Sequence, residues 1–172
     1  IPAHNRGPDA APLHLLPQIW YRNRWLWRHE AERPQMEATG DREVRLRQED
    51  LGERWWYASA PEEAAVDLLF THNETNRARL YDAANPSSYV KDGINDHVVD
   101  GASDAVHPEQ RGTKAAAHVR CEIPAGASRA VEIRFTPERK QRPFMHCNRM
   151  IDDRREEADA FYDEVQRDDL SD

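Results

Sequence analysis

The strongest constraint on this chain is a set of short stretches in which apolar and polar residues alternate with a period of two. Val44 and Leu46 alternate with Glu43, Arg45 and Arg47. Val119, Cys121 and Ile123 alternate with His118, Arg120 and Glu122, and Val131, Ile133 and Phe135 with Glu132 and Arg134. This period puts the apolar side chains on one face of a strand. Trp55-Trp56-Tyr57-Ala58 reads as another strand, and Ala64–Phe70, broken only by Asp67, as a buried one. Pro12–Tyr21 is apolar and aromatic but contains Pro17, which cannot donate to a ladder, so it is expected at a sheet edge or broken at that residue. Strands at this spacing without helical periods between them exclude repeated βαβ units and predict a mostly β fold, an antiparallel sandwich. Pro124–Ser128, lying between two of the alternating runs, predicts a β-hairpin. Only Met150–Gln166 carries a helical period, with Ile151, Ala158, Phe161, Tyr162 and Val165 on one stripe.

At 172 residues the chain is long enough for a real core. Its 24 basic and 32 acidic side chains leave a net charge of −8, which argues against a nucleic-acid partner. No run approaches the roughly 18 apolar residues of a membrane span, so no membrane partner is expected. Cys121 and Cys147 cannot build a disulfide framework; two free thiols point to a reducing, cytoplasmic setting. The chain starts at Ile1 with no charged-then-apolar leader, as if in mid-strand, and is expected to be a piece of a longer polypeptide.

Between Thr71 and Thr113 the sequence turns polar, rich in Asn, Asp, Gly and Pro, with Leu80, Tyr81, Tyr89, Val90 and Ile94 as scattered anchors. Polar loops of this length in a folded domain are functional or disordered. The residues Asn73, Glu74, Asn76, Tyr89, Lys91, Asp92, Asn95 and Asp96 supply carboxylates, carboxamides, a lysine and a phenol, types that match sugar hydroxyls. The alternative is a loop held by Asx turns. Glu74, Asp92 and Asp96 could in principle supply a glycosidase pair, but solvated loop acids are commoner and no catalytic residue is assigned. Asp92–Asp96 lacks the acidic pattern of a calcium loop, Gly112-Thr113-Lys114 has phosphate-loop residues in the wrong order, and no His/Cys spacing suits zinc. Neither metal nor cofactor is expected. Trp20, Trp25 and Trp27, interleaved with arginines, are expected to form a buried or domain-interface aromatic patch.

Several stretches together resemble a known family: His4-Asn5-Arg6-Gly7-Pro8, Ala11–Pro17, Trp20-Tyr21-Arg22-Asn23, Asn73–Asn76, Tyr89–Asp96 and Gly112–Ala117. They are similar to the N-terminal β domain of large bacterial proteins related to glycoside hydrolase family 63. In that family a β supersandwich precedes an (α/α)6 barrel, which carries the acid and base, and a helical linker joins them. The resemblance implies a partial supersandwich over residues 1–136 and a linker over 137–172. It implies packing on the barrel of the parent chain, with the polar segment and Lys114 near a pocket for a small glucoside or oligosaccharide. Residues 139–149, with Pro143, Cys147 and Asn148, depart from the acidic stretch expected before the helix. A free-standing carbohydrate-binding module and a scaffold without sugar affinity are the other two readings.

Overall fold

The computed structural model describes residues 1–26 and 32–166. Its axis is β9 (Lys114–Ile123), a ten-residue strand that pairs on one side with β7 (Ala65–Thr71). On its other side β2 (Ala11–Leu15) and β3 (Gln18–Trp20) lie end to end. The break between them falls at Pro17, whose carbonyl still accepts a hydrogen bond from Ala117 N–H at 3.0 Å. A residue without an N–H thus ends one edge strand and starts the next without costing the ladder an acceptor. The second sheet is also antiparallel, in the order β11 (Ile133–Thr136), β6 (Gly52–Ala58), β5 (Glu43–Gln48), β4 (Gln35–Gly40) and β8 (Arg111–Gly112). A third pairing joins β1 (Pro2–His4) to β10 (Ser128–Ala130).

The two larger sheets face each other across one core. Met36, Val44, Leu46, Trp56 and Ala58 come from the five-stranded sheet; Leu68, Phe70, Ala115 and Ala117 come from β7 and β9. The alternation at Val44 and Leu46 therefore works as expected, with both side chains buried. The sheet around β9 is also covered on its far face. Leu69 and Ala116 pack there against Ile94 of α2 (Gly93–Asp100), with Val98, Val106 and Leu16 around them. So the polar stretch after Thr71 is an ordered outer layer, with a short helix α1 (Arg77–Tyr81), α2 and a 3-10 turn at Ser103–Ala105. Three consecutive alanines, Ala115–Ala117, suit a strand pressed between two layers because small side chains let both approach.

Trp55, Trp56 and Tyr57 are all buried although successive residues face opposite ways. Trp56 enters the core, and Arg139 and Lys140 lie against the other two. The Arg139 guanidinium lies 5.2 Å from the Trp55 ring centre and pairs with Glu43 at 2.9 Å, while Lys140 N–H donates to Tyr57 Oη at 2.7 Å.

The expected hairpin between residues 119–123 and 131–135 does not form. The turn exists, with Gly126 at φ +69° and Ala127 N–H bonded to the Pro124 carbonyl, but the chain leaving it pairs with β1 and then β6. Of the predicted inward row only Val131 is buried; Ile133 and Phe135 stand exposed on the edge strand.

The chain divides into two units, Ile1–Lys140 and Gln141–Asp172. The second carries α3 (Cys147–Val165), three residues longer at its start than its sequence period suggests. None of its residues is buried, and Ile151, Phe161, Tyr162 and Val165 are all more than half exposed. Cys121 and Cys147 form no disulfide. Among the described residues no helix is long and apolar enough to cross a membrane, and no group of three His, Cys, Asp or Glu side chains is placed to hold a metal ion.

Candidate functional site

The candidate site lies where the chain crosses between sheets. Gly112 pairs with Met36 in one sheet, Thr113 N–H donates to the Thr71 carbonyl at 3.0 Å, and Lys114 begins the long strand of the other. Asn73 ties this corner together. Its N–H donates to Thr113 Oγ1 and its side-chain amide to the Tyr21 carbonyl, both at 2.8 Å, and its own carbonyl accepts from the Asn23 amide at 3.0 Å. Next to it Glu74 is 2% exposed. Its Oε1 accepts from Arg33 at 2.6 Å and from the Trp25 indole N–H at 3.1 Å, while Oε2 is buried without a partner among the described residues. A carboxylate at that depth needs such charge-assisted donors to offset its lost hydration.

The residues chosen from sequence for hydroxyl binding are largely brought together, and largely spent on one another. Asn76 caps α1 through Oδ1, which accepts from Arg79 N–H at 3.0 Å, and its amide donates to Asp92 Oδ2 at 3.0 Å. Arg79 binds Asp92 at 2.7 Å and grips both oxygens of Asp96 at 3.0 and 3.2 Å. Lys91 donates to Thr75 Oγ1 at 3.2 Å, and Lys114 to the Lys91 carbonyl at 3.1 Å. Burial first, then the neighbouring Lys91, lowers the Lys114 ammonium below the ordinary lysine range, and Asp92 opposes this. Asn95 is exposed on α2. Tyr89 accepts from His72 N–H through its carbonyl at 2.8 Å and lays its ring 4.6 Å from that of His107.

The tryptophans do not share one environment. Trp20 is 57% exposed, Trp25 is half-buried on Glu74, and Trp27 lies outside the described residues. Trp20, Tyr21 and Trp25 line a hollow of about 410 Å³ together with Gln48, Glu49 and Asp50.

Sequence reasoning missed a second group. Arg33, His72, His107 and Arg111 line a cavity of about 280 Å³, alongside Gly112 and Thr113. Arg33, His72 and the His107–Arg111 stretch stand far apart in sequence with no motif spacing; the only hint was that His72 and His107 sit near the two ends of the polar segment. Burial pushes the His72 imidazole down to about 4; Arg33 adds to this, Glu74 partly opposes it, and His107 and Arg111 contribute further. His107 and His118 are lowered too, with burial the leading cause in both.

These shifts predict acid sensitivity. A histidine whose folded pKa lies below its unfolded value stays neutral in the fold while the unfolded chain takes up a proton. Its contribution is therefore complete above about pH 6.5 and is lost as pH falls toward 4. For His72 the loss is about 2 kcal/mol, after discounting for water reaching part of the ring. Urea unfolding at pH 7.5 and 5.0 measures it: wild type should weaken at the lower pH by clearly more than His72→Asn, and equal losses would refute the assignment.

No family model matches the chain, and no solved structure matches it. Over 92% of its length it is 31% identical to the Uncharacterized protein YMR196W of Saccharomyces cerevisiae. The chain spans 18% of that yeast protein's length.

Proposed function

We propose that this chain is the non-catalytic β domain of a glycoside-hydrolase-like protein, with α3 as the start of a linker to a helical (α/α)6 catalytic barrel. The observation that carries the reading is α3 itself. A 19-residue helix with Ile151, Phe161, Tyr162 and Val165 exposed needs a partner face, because most helix stability comes from packing an apolar stripe. Similarity to a protein more than five times as long supports a role as one part of a larger polypeptide. The loop acids fit a non-catalytic role: Asp92 and Asp96 are bound to Arg79, and Glu74 to Arg33. In this reading the polar layer shapes a sugar pocket from the side.

The test compares the chain alone with the polypeptide of its whole gene, using chromogenic α-glucosides. The chain alone should be inert and the whole polypeptide active. Phe161→Glu should lower the thermal stability of the whole polypeptide while leaving unfolding of the isolated β unit unchanged. Turnover by the chain alone, abolished by Asp92→Asn, would overturn the proposal. The second reading, a free-standing carbohydrate-binding module, draws on the hollow beside Trp20, Tyr21 and Trp25. It would be favoured if maltotriose bound the chain alone and Trp20→Ala removed that binding.

A further inference from the structure

The cavity lined by Arg33, His72, His107 and Arg111 has a different character from the polar layer beside it. Its four basic side chains come from three separate stretches: the approach to β4, the end of β7 and the loop into β8. The acids nearby are already paired, two of them with the cavity's own arginines. Glu37 pairs with Arg45, Glu109 with Arg111 at 2.8 Å and Glu74 with Arg33 at 2.6 Å. A guanidinium has five N–H donors, so one carboxylate contact does not exhaust either arginine. His72 Nδ1 is buried without a partner among the described residues, as are Asn23 Oδ1, Thr71 Oγ1 and Glu74 Oε2 at the same corner. Leaving such an atom unmatched costs folding free energy that a ligand's donor or acceptor can offset.

We infer that this cavity is a binding site for a small oxyanion, a carboxylate or a tetrahedral inorganic anion, held by Arg33 and Arg111 with His72 and His107 beside it. The inference stands apart from the proposed function. About 280 Å³ is room for a compact acid group. Charges facing His72 are Arg33, Arg111 and His107 on the positive side and Glu74 on the negative, with Tyr89 against His107. Burial comes first in holding the ring neutral and Arg33 second, with Glu74 opposing. Two guanidiniums are what an anion requires. An incoming anion offsets them and lets His72 accept a proton, so binding takes up a proton and tightens as pH falls.

Calorimetry on the full chain tests this with sulfate and with glucuronate, whose charges stay constant between pH 5.5 and 7.5, and with neutral glucose as control. At least one anion should bind, at least about threefold tighter at pH 5.5 than at 7.5, and Arg111→Gln should weaken it about tenfold, close to one charge-assisted hydrogen bond. If Arg111→Gln fails to fold, His107→Gln carries the same expectation. Arg24→Gln, at an exposed ion pair outside the cavity, should leave binding unchanged. Tighter sulfate binding assigns the site to a free inorganic ion, and tighter glucuronate binding to an acid group carried on a sugar. No binding of either anion at 10 mM, binding independent of pH, equal binding of glucose, or binding unchanged in a folded Arg111→Gln protein would each overturn the inference.

Discussion

Gly112→Ala is expected to destabilise the β unit by about 3 kcal/mol or more, lowering its melting temperature by about 6–12 °C. A Cβ at this position would lie 2.3 Å from the Thr71 carbonyl oxygen and 2.9 Å from its carbon, both main-chain atoms. The cause is space; Gly112 does not have a positive φ. Neither side can easily give way. Thr71 is fully buried, its carbonyl holds Thr113 N–H at 3.0 Å, and Gly112 is registered against Met36 at the centre of the core. Separating Gly112 from Thr71 would pry one sheet from the other where the strand changes sheets. Gly93 provides the contrast. Its Cβ would meet the Ala105 carbonyl oxygen at 2.2 Å, but Ala105 belongs to a 3-10 turn in the outer layer, which can shift without moving a sheet. Gly93→Ala should cost less, about 1–2 kcal/mol. Urea titrations of both variants decide the matter: a Gly112→Ala protein within about 1 kcal/mol of wild type, or less affected than Gly93→Ala, would refute the idea of a rigid crossing.

The strands that follow a two-residue period were legible because their sheet buries one face and wets the other; β5 is the clearest case, with Val44 and Leu46 inside and Arg45 and Arg47 outside. β9 was only half legible. Its outer half alternates, but Ala115–Ala117 carry no period because both faces are covered, one by Trp56 and its neighbours and one by Ile94. Pro124–Ser128 signals a turn, which forms, but the strands on either side of it do not pair as a hairpin. A turn fixes where the chain reverses, while the partner strand is chosen by packing from distant β1 and β6. In α2, Ile94 and Val98 stand one helical turn apart and Gly101 closes the helix at φ +71°, a signal that was present but short. At the site, residue types predicted polar chemistry at Asn76, Asp92 and Asp96 but could not show that Arg79 would take up the carboxylates. The basic cavity was illegible for another reason: His107 and Arg111 are near neighbours, 3.4 Å apart, but only the crossing at Gly112 brings Arg33 and His72 to them.

Phe70→Ala tests whether the two sheets are held together through one side chain. Phe70 is fully buried and belongs to the core that includes Met36, Val44, Leu46 and Trp56 from the facing sheet. It stands opposite Ala115 in the ladder, a large residue beside a small one, so its cross-strand partner cannot fill the space it leaves. The loss therefore combines the transfer free energy of the ring with a cavity that does not collapse, about 3–5 kcal/mol. Phe70→Leu, which keeps most of the volume, should cost about 1–1.5 kcal/mol. Leu80→Ala, at a residue 60% exposed on α1, should stay within about 0.5 kcal/mol of wild type. All five tryptophans precede residue 57, so their fluorescence follows the β unit without a contribution from α3. Phe70 also has a main-chain role: its carbonyl accepts His107 N–H at 2.8 Å, anchoring one wall of the basic cavity to the core. If Phe70→Ala unfolded with a loss below about 1 kcal/mol, the facing sheet would have to be held by contacts other than this core, and the cavity wall would have no rigid support from β7.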